Sequence, residues 1–172
     1  MTTLQNPLRL NVGFLTTESV GFSRVFEFDL PSIKLEADLS IEAFAGTAKF
    51  ERTQRGLLLN AHFSGTIINQ CVRCLDEFNQ KLDTDFTELF AFDHRTTTDS
   101  DLLVPDSGMI DLAPLIREYM ILDLPLKPLC KQDCAGLCPI CGINLNHETC
   151  DCQVEQIDPR LSKLKDLLDD SD

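Results

Sequence analysis

The sequence predicts an α+β, mainly β fold: an antiparallel sheet or partly closed barrel with a packed central helix, a C-terminal helix and a cysteine-rich zinc-binding segment. Three observations predict it. Apolar residues alternate with polar ones through much of the first ninety positions, the period of strands that bury one face and wet the other. Two later stretches switch to helical spacing. Finally, the 8 cysteines gather into close pairs, five of them within "CAGLCPICGINLNHETCDC".

The strands come first. Leu8, Leu10 and Val12 alternate, as do Phe26, Phe28 and Leu30. Leu35, Ala37, Leu39, Ile41 and Ala43 read as one long strand, echoed by Leu57, Leu59, Ala61 and Phe63. Between these two series, Arg52, Arg55 and Gly56 in "KFERTQRG" mark a charged hairpin end, a solvated turn in preference to a contact patch. After "CVRC" a further strand carries Leu82, Thr84, Phe86, Glu88 and Phe90 on one face. "DHRTTTDSDLLVPDSG" is acidic and rich in turn formers, the composition of a mobile surface loop. Asp111 is then placed to cap a helix whose face is Leu112, Leu115, Ile116, Tyr119 and Met120, an apolar stripe for lying on the sheet and not a cofactor site. Pro125 and Pro128 end that helix and extend the approach to Cys130. In "DPRLSKLKDLLDD", Asp158 and Pro159 start a last helix with Leu161, Leu164, Leu167 and Leu168 on one side. That face either docks on its own domain or meets a partner. The resulting division is a mainly β domain with its helix over residues 1–128, and a cysteine-rich segment with the C-terminal helix over 129–172, packed on the first part.

A chain of 172 residues buries enough surface to fold around an ordinary core, so metal need not supply all the stability. No apolar run approaches the roughly 18 residues that span a bilayer. The opening "MTTLQNPLRLNVGF" has neither the basic-then-apolar pattern of a secretory signal nor the Arg-rich character of a transit peptide, which points to the cytoplasm. A reducing compartment disfavours structural disulfides and leaves thiolates for metal. The formal charge is −13, with 8 basic and 9 acidic residues up to Leu82 against 7 and 19 from Asp83 onward. Such a chain gains little from neutralising phosphates, so a basic protein partner fits better than bare RNA.

Two cysteines separated by two residues supply half of a tetrahedral site from one turn. Cys138 and Cys141 in "CPICG" do so in zinc-knuckle fashion, and Gly142 lets the backbone fold back so that amides reach the sulfurs. Cys150 and Cys152 close a local set. Cys71 and Cys74 of "CVRC" are left to pair with Cys130 and Cys134, tying the strands to the segment after the helix. Eight cysteines thus divide into two closed four-sulfur sites for two zinc ions, a structural and not a catalytic arrangement. His147 is a neighbour in preference to a ligand, and His62 and His94 have no partner motif. The sequence holds no HExxH, phosphate-cradling glycine loop, dinucleotide fingerprint, GxSxG elbow or deaminase signature, so no enzyme is expected and no small-molecule substrate.

Together, "CVRCLDEF" at Cys71 to Phe78, "IDLAPLIREYMILDLPLKPLC" leading into "CAGLCPICGINLN", and the closing "DPRLSKLKDL" resemble the YceD family, proteins named for accumulation of large-subunit ribosomal RNA. The resemblance covers the chain from about Ala61 onward. It implies a non-enzymatic role in ribosome assembly, and the family's cysteine positions map onto Cys71, Cys74, Cys130, Cys134, Cys138, Cys141, Cys150 and Cys152. Combined with the acidic charge, this gives a protein that works through a basic ribosomal protein or assembly factor, touches large-subunit ribosomal RNA indirectly, and does not use a membrane. Two other readings remain open. One is a direct RNA-binding zinc protein using the knuckle with Arg52, Arg55, Arg73, Lys127 and Lys131, although stacking aromatics are not evident with no Trp and 1 Tyr. The other is a redox-switched zinc chaperone, disfavoured because closed zinc sites protect their thiolates.

Overall fold

The alternating segments form long strands in the computed structural model, which describes residues 6–36, 39–93 and 101–152. In chain order the elements are β1 (Arg9–Asn11), a 3-10 turn (Gly13–Thr17), β2 (Ser23–Leu35), β3 (Leu39–Arg52), β4 (Gly56–Gln70), β5 (Glu77–Ala91), β6 (Met109–Asp111) and α1 (Ala113–Leu122). The chain divides into two compact units. The first runs through Asn69 and again from Phe78 to Leu126; the second takes Gln70–Glu77 and the chain from Lys127 onward. No single cut expresses that division, because the β4–β5 connection belongs with the cysteine-rich segment.

In the first unit β2, β3, β4 and β5 form one sheet in that order, and β1 pairs with β6 in a second. The larger sheet is open, with β2 and β5 at its edges, so the partly closed barrel is not what forms among the described residues. β2–β3 and β3–β4 are antiparallel. On β5, Thr87 and Asp85 meet Asn60 and His62 of β4, the opposed sequence directions that antiparallel neighbours require.

The long series from Leu35 to Ala43 is two strands, with Ala37 outside the described residues. β2 ends at Leu35 and β3 begins at Leu39, with Leu35 opposite Leu39 and Ile33 opposite Ile41. A connection of three residues preserves the odd–even parity of the side chains, so the alternation runs through the reversal without a break. Ala43 was expected on the buried face but is exposed, with φ 49. It lies in a β-bulge between Glu42 and Ala45, where β3 carries one residue more than β4. Burial on β3 consequently moves from Leu39 and Ile41 to Phe44, Ala48 and Phe50. Gly65 on β4 faces the bulge, and a Cβ there would stand 2.3 Å from Ile41 Cγ2, so only glycine lets the strands approach. On β2, an edge strand and so tolerant of proline, Pro31 stands between the paired residues Leu30 and Ser32.

The core gathers Phe44, Phe50, Phe63, Leu57 and Leu59 from the sheet with Ile116 and Met120 from α1. The Tyr119 ring stacks on Phe86 at 4.3 Å between centroids, and its hydroxyl donates to Glu88, the charged member of the β5 inner face. Asp111 does not occupy the N-cap position, which falls to Leu112 without a side-chain cap bond. As the last residue of β6, it caps from one step earlier: Asp111 Oδ1 accepts the amide of Ala113 at 2.9 Å. The expected mobile loop is pinned along its second half. Ala91 N donates to Leu102 O and Val104 N to Ala91 O, each at 2.9 Å, while Leu102 and Val104 pack against the core. The apolar run "LLV" inside an acidic segment supplies that anchor. His94 and the predicted C-terminal helix from Asp158 lie outside the described residues. Among the described residues no helix is long and apolar enough to cross a membrane.

Candidate metal centres

Each tetrad in the second unit starts from a five-residue knuckle. In the first, Leu75 N donates to Cys71 O at 2.9 Å; in the second, Gly142 N donates to Cys138 O at 2.9 Å. Closing such a turn requires a left-handed residue at its fifth position, where φ is 62 at Leu75 and 76 at Gly142. The turn aims successive amides at the first sulfur. Burial acts against ionising Cys71, yet the backbone amides of Cys74, Cys130 and Arg73 outweigh it and lower its pKa to about 6. The amides of Cys141 and Ile140 bring Cys138 to about 6 as well.

The structure brings Cys71, Cys74, Cys130 and Cys134 into one group and Cys138, Cys141, Cys150 and Cys152 into another, with the sulfurs of each group all within 4.8 Å of one another. In the first group Cys71 and Cys134 sulfurs are 3.8 Å apart and Cys74 and Cys130 sulfurs 3.6 Å. Four sulfurs about 2.3 Å from a central ion at tetrahedral angles are about 3.8 Å apart, whereas a disulfide is about 2.05 Å long. All eight thiols are free. The spacing therefore fits a divalent ion and not a cross-link.

The remaining thiols show what charge a cation would offset there. Burial pushes the Cys130 thiol up. At Cys74 the Asp76 amide favours the thiolate, but burial and the other three sulfurs override it and raise the pKa. The Cys141 sulfur pushes Cys152 up to about 12. The Cys152 amide helps the Cys150 thiolate, but Cys138, burial and Cys141 together raise it. Neighbouring sulfurs cannot all carry charge without a positive ion between them.

Residues outside the cysteines complete the first group. Asn146 Nδ2 donates to Cys134 Sγ at 3.4 Å, the leading reason the Cys134 pKa is lowered, and Asn146 Oδ1 accepts the amide of Ala135 at 3.0 Å. Asn144 Oδ1 orients Asn146 at 2.9 Å, and Asn144 Nδ2 donates to Asp76 Oδ2 at 2.7 Å. Arg73 Nη1 donates to Cys134 O at 3.0 Å, and Leu137 N to Arg73 O at 3.0 Å. Gly136 has φ +77 and sits so close that a Cβ would be 3.2 Å from Arg73 O. The asparagines of "GINLN" were not read as functional; their position directly after "CPIC" was the available signal.

His147 stands outside both groups, its ring 3.5 Å from Asp76 Oδ2 and largely exposed. His62, which has no partner motif along the sequence, acquires one across the strands: its Nδ1 lies 2.9 Å from Asp85 Oδ1 and 3.6 Å from Asp83 Oδ1. These three exposed side chains bring their ligand-type atoms within 4.8 Å of one another, on the surface and away from the cysteines. Of the arginines considered for RNA, Arg52 lies 4.3 Å over the Phe92 ring and donates to Thr16 O at 3.3 Å, and Arg73 is held as above.

Comparison with known proteins decides the family. Residues 59–168, which contain all eight cysteines, match the family described as large ribosomal RNA subunit accumulation protein YceD. The chain belongs to the YceD family. An uncharacterized Mycobacterium tuberculosis protein is 36% identical over 125 residues, spanning 70% of this chain and 59% of its own length. An uncharacterized Bacillus subtilis protein is 28% identical over 111 residues, 63% of this chain and 64% of its own. The Arabidopsis thaliana protein named large ribosomal RNA subunit accumulation protein YCED homolog 1, chloroplastic, is 35% identical over 63 residues, 37% of this chain and 20% of its own. This chain thus spans less than two thirds of the length of the relatives it matches first. No solved structure matches it. The YceD description names an accumulation and not a reaction, and suggests a role in ribosome biogenesis.

Proposed function

We propose that this YceD protein is a non-enzymatic, cytoplasmic ribosome-assembly factor that carries two structural zinc ions and supports accumulation of large-subunit ribosomal RNA through a basic ribosomal protein or assembly factor. One ion is held by Cys71, Cys74, Cys130 and Cys134, the other by Cys138, Cys141, Cys150 and Cys152. The observation that carries the reading is the pairing of two all-sulfur tetrads within the region that matches the YceD description. Four thiolates select zinc over the hard cations that prefer oxygen, and a site filled by four protein ligands keeps no position for water or substrate.

The choice of a basic protein follows from charge. The chain is −13 before metal is counted, and each tetrad of four thiolates around a divalent ion adds two negative charges. A surface of this sign steers cationic proteins and repels bare phosphate backbone. Internal engagement of Arg52 and Arg73 supports the same choice. Native mass measurement is expected to count two zinc ions per chain. Mixing the zinc-loaded protein separately with large-subunit RNA fragments and with purified basic ribosomal proteins is expected to give binding to the proteins. Tight, salt-sensitive binding to bare RNA alone would defeat this reading.

A further inference from the structure

The two knuckles share a turn but differ at its fifth residue, and the difference is chemically informative. Gly142 meets the left-handed requirement without strain, and nothing stands within 4 Å of where its Cβ would be. Leu75 meets the same requirement with a branched side chain that disfavours it. That side chain is not what closes the turn, which is a backbone requirement. It is 53% exposed, absent from the hydrophobic core, and not a ligand. Val72, three residues earlier on the same knuckle, is 52% exposed. The left-handed turn serves the ligands, and what they leave unexplained is an exposed leucine there in place of glycine.

Charge identifies that molecule's chemistry. Asp76 and Glu77 follow Leu75 directly, and Asn144 and His147 hold the Asp76 carboxylate in place. Glu148, beside His147, is exposed. Behind the knuckle lies the Cys71 tetrad. Arg73 is turned away to the Cys134 carbonyl. Val72 N bonds Pro128 O, and Lys127 and Lys131 neighbour that proline in the chain. An apolar tip followed directly by carboxylates suits a segment that carries both apolar and cationic side chains.

We propose that the Cys71–Leu75 knuckle is the docking point for a lysine- and arginine-rich protein segment, with Leu75 and Val72 as its apolar contact and Asp76, Glu77 and Glu148 as its charge partners. This rests on the basic-partner reading above and names the surface that serves it. The left-handed turn holds the leucine out from the tetrad, where an ion-loaded knuckle keeps it rigid, so little ordering entropy is lost on binding.

The test uses the full-length, zinc-loaded chain with purified basic large-subunit ribosomal proteins and synthetic lysine- and arginine-rich segments of them as probes. Leu75→Gly and Leu75→Asn both suit a left-handed position while removing the apolar contact. Each is expected to keep two zinc ions and an undiminished melting temperature, yet to weaken binding of the tightest probe about tenfold or more. Val72→Ser is expected to weaken it less. Unchanged affinity in both Leu75 variants would overturn this surface while leaving the basic-partner reading standing; failure of every probe to bind the unaltered chain would overturn both. Two further outcomes also overturn it: dissociation of a dimer by Leu75→Gly without loss of probe binding would make a second copy the occupant, and a Leu75-dependent affinity for RNA fragments alone would make it RNA.

Discussion

The two sulfur tetrads have the same ligands and the same starting turn, yet they do different jobs for the chain. The first joins a knuckle in the β4–β5 connection to a segment far along the sequence, with Cys74 and Cys130 separated by 56 positions. Its Cys71, Cys74 and Cys134 are buried. The second is assembled from one short stretch, and its Cys141 is exposed. Loop closure grows only as the logarithm of length, so the Cys74–Cys130 separation differs from the nine positions between Cys141 and Cys150 by only about 1.6 kcal/mol. Access to the sulfurs is the larger distinction. Identical ligand chemistry can thus staple distant segments in one place and organise a local loop in another, depending on what covers it.

The strongest way to break that comparison is to remove ligands. Cys71→Ser or Cys134→Ser is expected to lower the zinc count from two to one and to loosen the contact between the β4–β5 connection and the chain after Lys127, seen as faster amide exchange at Val72 and Leu137. Cys141→Ser is expected to lose one ion too, with those two amides still protected. Equal loss of protection in both variants would mean the tetrads form a single cooperative unit.

Chelation separates them by rate. A strong chelator is expected to withdraw zinc in two phases of equal amplitude, the Cys141 site roughly tenfold or more faster because it needs less opening of the structure. A single phase would remove the distinction by access. Next comes Asn146→Ala, which takes away the amide donor to Cys134 and leaves the second tetrad's ligands untouched. Zinc affinity is expected to fall about tenfold at the first site only, since partners of metal ligands contribute on that scale. Equal weakening at both sites would show that Asn146 acts on the whole loop.

The smallest effect lies in the first unit and provides a reference. The chain has 1 Tyr and no Trp, so ultraviolet titration reads Tyr119 alone. The Glu88 hydrogen bond, then burial and nearby carboxylates, raise its pKa to about 12. A phenol raised above its unfolded value of about 10 contributes stability that is complete below that pH and lost as pH rises toward 12. Phenolate absorbance is expected near pH 12, moving down toward 10 in Glu88→Gln. An onset already near 10 in the unaltered protein would remove the Glu88 bond from the account.

Much of the candidate site could be read along the chain. "CPIC" with "CDC" falls within one short stretch, so spacing alone makes it a group, and "CVRC" and "CKQDC" join by what is left over. Asn146 could not be read in that way, because its importance lies in which sulfur its amide reaches. The His62–Asp85 pair was hidden for a related reason: it depends on the β4–β5 register. In the fold, alternation located β4 and β5 well, but it misled at Leu35–Ala43, where a turn that preserves parity is invisible to a pattern of period two.

The amino-acid sequence by itself determined the mainly β character, the helix of Leu115 to Met120, and the supply of eight thiols in pairs, because these follow from local periodicity and from side-chain chemistry. Tertiary structure alone decided the bulge that moves burial from Ile41 to Phe44, the reach of Asn146 to the Cys134 sulfur, and the exposure of Leu75 on a strained turn. Those depend on which segments meet in space, and hydrogen bonds and packing are satisfied through space without regard to separation along the chain.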